Sequence, residues 1–322
     1  MFKEVISGSV SIGSAIALSM AFSLPVHAAD CGGNGPGSIP CSCGDNVAEN
    51  RTLISGKIRD PVLNVVCTGN ALVMNIPGVV LNLGGGKLRG SGKAVGVLIK
   101  ADNVSIKNGR IDKFGTGIST APGTFTHGSL IEAVKPYYNV GDGVLLEGDN
   151  NELIASPARH NGKNGTTVIG NNNILRGHNN EYNGVHGFFV QGDGNQLIDN
   201  LASENRRGGN GMVVVGNRNT IEGSWITKLN TDGIVVAGNN NFLNANRVEK
   251  QKDDGIVVDG DSNVLTDNEA TDNRGFGISV VGTGNGADST GNRAAFIELK
   301  VHPEDPGCEI YGVATAPTCI RQ

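Results

Sequence analysis

Asp232-Gly233-Ile234-Val235-Val236-Ala237-Gly238-Asn239-Asn240-Asn241 returns 22 residues later as Asp254-Gly255-Ile256-Val257-Val258-Asp259-Gly260-Asp261-Ser262-Asn263. Each copy opens on Asp-Gly, runs through alternating inward and outward apolar positions, and closes on Gly and Asn. Period two marks a strand, and Gly followed by short polar residues marks a turn. Outward from this pair, the Gly before the apolar run recurs as Gly143, Gly165, Gly187, Gly211, Gly233, Gly255 and Gly277, at spacings of 22, 22, 24, 22, 22 and 22, with weaker copies at Gly96 and Gly117.

Self-similarity at a fixed period of this size signals a solenoid. Five residues after each anchor stands another Gly (148, 170, 192, 216, 238, 260, 282), expected in a turn of positive φ. Eight residues after stands Asn (151, 173, 195, 219, 241, 263, 285), a type that tolerates a left-handed turn and whose amide can bond to identical turns above and below. Leu153, Leu175, Leu197, Ile221, Leu243 and Leu265 give a second inward position, and Ala158, Ala202, Ile226, Val248 and Ala270 a third. Three short strands per coil predict an all-β, single-stranded right-handed parallel β-helix of about 22 residues per coil, with stacked slots about 4.8 Å apart. The 49 glycines fall at fixed intervals, which argues against a disordered chain despite only 18% charged residues.

Lys3 followed by an apolar run to Leu24, then Pro25 and Val26-His27-Ala28-Ala29, reads as a signal peptide over 1–28. A membrane span is the alternative, disfavoured by the Ser and Gly in the run and by Pro25. The expected organisation is a signal peptide (1–28), a cysteine-bearing N-terminal cap (29–70), the β-helix (71–293) and a C-terminal cap (294–322), in a secreted or periplasmic protein without a membrane span once mature. All six cysteines, Cys31, Cys41, Cys43, Cys67, Cys308 and Cys319, follow the signal. An even count in an exported chain suggests disulfides. Cys308 with Cys319 is the pairing expected at the C-terminal end; the other four leave three connectivities open. A formal net charge of -5 argues against a nucleic-acid partner.

Just before each anchor lies a short or polar residue, giving a line of Asp142, Asn164, His186, Asn210, Asp232 and Asp254 along one edge. Asp232 and Asp254 should be neighbours, so one carboxyl should have a raised pKa unless a divalent cation such as calcium sits between them. No other cofactor is indicated. Beside this line run Arg206, Arg207, Lys228, Lys250, Lys252 and Arg274, with Lys228 and Lys250 in equivalent slots. With the acids they form a mixed-charge strip able to hold uronates, and His186 stands in line with it. A solvated face is the plain alternative.

The repeat resembles the right-handed parallel β-helix proteins that include pectate lyases, polygalacturonases and periplasmic carbohydrate-binding or sugar-hydrolase-like chains, over roughly residues 70 to 290. Asn230-Thr231-Asp232-Gly233 with Asp253-Asp254 further resembles motifs of glycoside hydrolase family 28. That resemblance implies catalytic roles for Asp253 as proton donor to the leaving oxygen and for Asp232 and Asp254 in activating water. The chain departs from the family where a Gly-His-Gly is expected and Gly275-Phe276-Gly277 stands, and it has no Arg-Ile-Lys downstream. Asp-Gly as simple turn chemistry therefore competes with catalysis, and a glycan-binding or structural envelope protein is the favoured expectation over a polysaccharide hydrolase or lyase. The expected partner is a polysaccharide or cell-surface glycan. Few aromatics are available to stack on sugars; Tyr137, Tyr138, Tyr182, Phe189 and Trp225 are the candidates. An outward apolar row, Leu145, Phe189, Val213, Val235 and Val257, is unusual for a solvated face; a monomer is expected, with a trimer through this row as the alternative.

Overall fold

A computed structural model describes residues 29–54, 60–206, 208–285 and 291–294 with their side chains, and 297–301 and 318–321 by their backbone. The expected signal peptide, Cys308 and Arg207 lie outside the described residues, as does the side chain of Cys319. The strands form three sheets of 14, 12 and 6 strands. Each strand pairs in parallel with its counterpart one coil away, as in Ile234 with Ile256, Leu243 with Leu265 and Val248 with Ala270. The chain is thus the all-β parallel solenoid that its period predicts, and the described residues hold no helix beyond the 3-10 turn Pro61–Leu63.

Alternation decides which atoms meet inside. Ile234 and Val236 are fully buried while Val235 between them is half-buried, and Met212, Val214, Ile256 and Val258 repeat the pattern in adjacent coils. Leu243 on the second sheet and Val248 on the third complete each layer of the core. Burying each such side chain contributes about 1.5–3 kcal/mol.

Glycine is required where coils approach closely. The Gly170 backbone has φ +149, and a Cβ there would lie 2.0 Å from the carbonyl oxygen of Gly148 one coil below. The same turn position recurs at Gly192, Gly216, Gly238 and Gly260, with φ between +137 and +140.

The asparagine column forms, but the left-handed conformation belongs to the preceding residue. Asn150, Asn172, Arg218, Asn240 and Ser262 take φ of 55 to 57, whereas the column residues do not adopt positive φ. Their side chains turn inward instead. The backbone N–H and the Nδ2 of Asn151 both donate to Oδ1 of Asn173, at 2.8 and 3.1 Å, and Asn173 does the same to Asn195. Two further buried ladders run at the other corners: Ser224 to Asn246 to Asn268 to Asn292, and Asn139 to Asn161 to Asn183 to Asn205. Each satisfies backbone donors that the bends remove from the sheets.

At the N-terminal end, the cysteines adopt one of the three open connectivities, Cys31–Cys41 and Cys43–Cys67. The segment expected as a cap already carries strands in register with the solenoid, Asp30 beside Asn46 and Asp45 beside Leu72. A buried ion pair between Arg51 and Asp60, 2.7 Å apart, ties this end together, with Asp60 also accepting the N–H groups of Cys41 and Ile54.

Candidate functional site: a charged corner edge

The edge of interest is the corner between the third and first sheets. Its residues leave a strand such as Arg247–Glu249, pass a left-handed bend, and enter the next coil's first strand, Ile256–Asp259. Lys228 and Lys250 sit at the bend with φ of 58 and 61, one above the other. Both side chains point outward, because the next residue turns in: the N–H of buried Leu229 donates to Gln251 Oε1.

Lys228, Lys250, Lys252 and Arg274 line one groove of about 330 Å³, together with Asn230, Gln251 and Asp272. Four of the basic residues expected beside the acid line are therefore brought together. Lys228 meets Glu204 at 3.7 Å and Lys250 meets Glu249 at 3.6 Å, separations that weigh little at an exposed surface. Among the described residues, Lys252 and Arg274 form no ion pair. Arg206 is exposed on the corner one coil before Lys228; burial holds the His160 pKa down, and the charges of Arg206 and Arg159 add to it. His186 does not join the groove. It lies two coils before Asp232 in the Asp line, where its Nδ1 accepts the Asn210 N–H at 3.0 Å and burial lowers its pKa.

Just before the first-sheet strands that follow this corner, Asp232, Asp253 and Asp254 bring one carboxylate oxygen each to within 4.8 Å of one another. The three predicted acids are thus a cluster. Burial pushes the Asp232 carboxyl up, the negative charges of Asp253 and Asp254 push it further, and the Asp254 N–H that it accepts at 3.1 Å opposes both.

The turn role expected for this line is also present. Most members cap the amide one coil on: Asn164 N–H to Asp142, His186 N–H to Asn164, Asp254 N–H to Asp232, and Phe276 N–H to Asp254 at 2.6 Å, whereas Asn210 accepts the Thr231 hydroxyl. Asp232 and Asp254 therefore hold backbone and shape the cluster at once. Gly275 belongs to the same arrangement: a Cβ there would lie 2.1 Å from Asp254 Oδ1 and 3.1 Å from Asp253 Oδ1. The sequence names Gly275 only as a mismatch to a family motif; its role emerges from the close packing of two carboxylates over its backbone.

Three ring-bearing residues share the bend slot of Lys228 and Lys250 in earlier coils: Tyr138, His160 and Tyr182, all with φ of 55 to 57. Their rings stack face to face at 4.8 and 4.9 Å. Reading by residue type separates these rings from the lysines, although His160 and Tyr182 fall 17 residues after their anchors as Lys228 and Lys250 do. Trp225 is exposed on a different face, in the strand Trp225–Thr227, and Phe189 packs beside His186 with ring centroids 6.2 Å apart. The outward row Leu145, Phe189, Val213, Val235 and Val257 is half-buried.

The stacked coils with a polar corner edge define a right-handed parallel β-helix, and residues 142–294 match the family model for the right-handed β-helix region. Among solved structures the chain is similar to the Dettilon tailspike protein (gp208), with TM-score 0.56 and 16% identity over 89% of this chain and 60% of that one. It is also similar to a mutant of the periplasmic alginate epimerase AlgG, with TM-score 0.54 and 15% identity over 82% of this chain and 70% of that one. The A-module of the Azotobacter vinelandii mannuronan C-5 epimerase AlgE4 gives TM-score 0.53 and 13% identity over 91% of this chain and 86% of that one. Likeness at these identities shows the fold alone, and the chain spans 60% of the tailspike's length. No curated protein sequence matches.

Proposed function

We propose that the protein is exported and binds an acidic polysaccharide along this corner edge, with the groove of Lys228, Lys250, Lys252 and Arg274 taking the sugar carboxylates. The observation that carries this reading is the gathering of four cations in one groove on a chain of net charge -5. Each exposed contact contributes only about 0–1 kcal/mol, so affinity arises from several contacts made by one polymer. Arg274 adds a planar fork that matches a carboxylate in two-point fashion. The two disulfides fit an oxidising compartment, and one structurally similar protein is a periplasmic alginate epimerase.

Retention on immobilised polygalacturonate and alginate, against neutral dextran, tests the reading. Binding to at least one polyanion should weaken with added salt and with Lys250→Ala combined with Lys252→Ala. Equal retention on dextran, or none on either polyanion at low salt, would refute it.

A second reading, turnover of the bound chain, is favoured by the raised pKa of Asp232 within a three-carboxylate cluster. On this reading Asp253, the exposed member, would protonate a leaving oxygen and Asp232 and Asp254 would activate water. The 4.8 Å spread of oxygens is tighter than the about 6.5–9.5 Å usual between inverting carboxyls. The cluster suits a shared proton, or a calcium ion taking oxygen ligands, better than a water held between two separated groups. Incubation with pectin, alginate and glycosaminoglycans should yield unsaturated uronates or new reducing ends, lost in Asp253→Asn, if this reading holds. A broad panel without product would remove it and leave the binding reading intact.

A further inference from the structure

We infer that the ligand site does not end at the basic groove but continues onto the aromatic column of Tyr138, His160 and Tyr182, which takes further sugar rings of the same polysaccharide. This rests on the glycan-binding reading above and extends it to a second subsite.

One slot, repeated, carries the inference. Tyr138, His160, Tyr182, Glu204, Lys228 and Lys250 all occupy the left-handed bend, with φ between 51 and 61. Backbone bonds place them in one file: Tyr138 N–H to Arg159 O, His160 N–H to Glu181 O, Tyr182 N–H to Ser203 O and Lys228 N–H to Glu249 O. The file is also linked through side chains. The rings of Tyr138, His160 and Tyr182 stack in turn, the Tyr182 hydroxyl meets Glu204, and Glu204 meets Lys228 at 3.7 Å. Six coil steps separate Tyr138 from Asp272 at the far wall of the groove, about 29 Å at about 4.8 Å per step.

Stacking contributes about 0.5–1.5 kcal/mol per pair, but the backbone position works against it. The bend disfavours bulky side chains, and Asn or Gly would occupy it with less strain. The rings do not serve the core either, since Tyr138 is 48% exposed and the inward position beside each belongs to Asn139, Asn161 and Asn183. The inner faces are occupied by one another and Arg110 lies 5.7 Å from the Tyr138 ring centroid, so the stack offers solvent mainly its edges: a rigid file of C–H, hydroxyl and imidazole groups. Such a file complements the hydroxyls and C–H edges of sugars and contributes no charge of its own when His160 is neutral. Burial and the cations Arg206 and Arg159 favour that neutral form. Rings already held in place lose little freedom on binding.

The test compares a trisaccharide, which covers only the groove, with an octasaccharide, which reaches the rings, in the oligogalacturonate or oligomannuronate series selected by the retention assay. Titration calorimetry should give the octasaccharide about tenfold or greater advantage in Kd with the unaltered protein. Tyr182→Ala should abolish that advantage and leave trisaccharide affinity unchanged, whereas Tyr182→Phe, which keeps the stack, should retain most of it. Equal affinity for the two lengths, a full advantage surviving in Tyr182→Ala, or a parallel loss of trisaccharide binding would overturn the second subsite alone. Failure of both lengths to bind would overturn the glycan-binding reading and this inference with it.

Discussion

Replacing Asp232 by Asn should make the protein more stable at neutral pH, the reverse of what most substitutions do. Asp232, Asp253 and Asp254 bring oxygens within 4.8 Å, and Asn keeps the acceptor that caps the Asp254 N–H. Two like charges at 4.8 Å repel by about 3–4 kcal/mol at an effective dielectric of about 20. Asp232 is half-exposed, so solvent screening reduces the expected gain to about 1 kcal/mol. The folded-state pKa of Asp232 is raised. Protonation therefore favours the folded form: this contribution is complete below the ordinary aspartate value and is lost as pH rises through the raised one. The advantage of Asp232→Asn should accordingly be largest at neutral pH and vanish on acidification past the ordinary aspartate value. Urea midpoints followed by far-UV circular dichroism at both pH values provide the assay. A variant no more stable than its parent at neutral pH, or one whose gain persists in acid, would refute the reading that burial and the neighbouring carboxylates penalise a charged Asp232. If the cluster turns over glycan, the same variant should be more stable and inactive together.

Asn241→Ala removes the buried acceptor of the Asn219 N–H and the donor to Asn263, and should cost about 2–4 kcal/mol in urea unfolding. Asn239→Ala, in the exposed column where Oδ1 accepts the Asp261 N–H, should cost less than about 1 kcal/mol by the same measurement. Gly275→Ala places a Cβ 2.1 Å from Asp254 Oδ1, so it should destabilise by about 1–3 kcal/mol and return Asp232 toward an ordinary carboxyl titration as the cluster spreads, read by carboxyl carbon NMR. Cys43→Ser with Cys67→Ser opens a loop with a sequence separation of 24 and should lower stability by about 3 kcal/mol, visible as a drop in Tm.

The solenoid is legible because its period, its strand alternation and its recurrent glycines all demand the same coil. Ile234, Val236, Leu243 and Val248 can be assigned inward from spacing alone, and all four are fully buried. The first asparagine ladder is legible because one residue type fills every rung. The second escapes notice because Ser156, His178, Asn200 and Ser224 share its rungs, four side chains united by hydrogen-bond capacity and not by name. The acid cluster follows from Asp232 and Asp254 sharing a slot, yet the part played by Gly275 requires knowing how near the neighbouring coil passes. Slot arithmetic predicts the stacking of Lys228 on Lys250; it equally contains His160 and Tyr182, which comparison by charge sets aside.

Two extra residues fall between Asn205 and Asn210, and the sheets on either side keep their pairing, Leu197 with Ile221 before them in the coil and Asn210 still donating to His186 after. Length can thus be added at the corner without repacking a single layer. The corner therefore accommodates a change in loop length that the stacked scaffold does not register, and a longer graft at this corner should leave the pairing on either side intact.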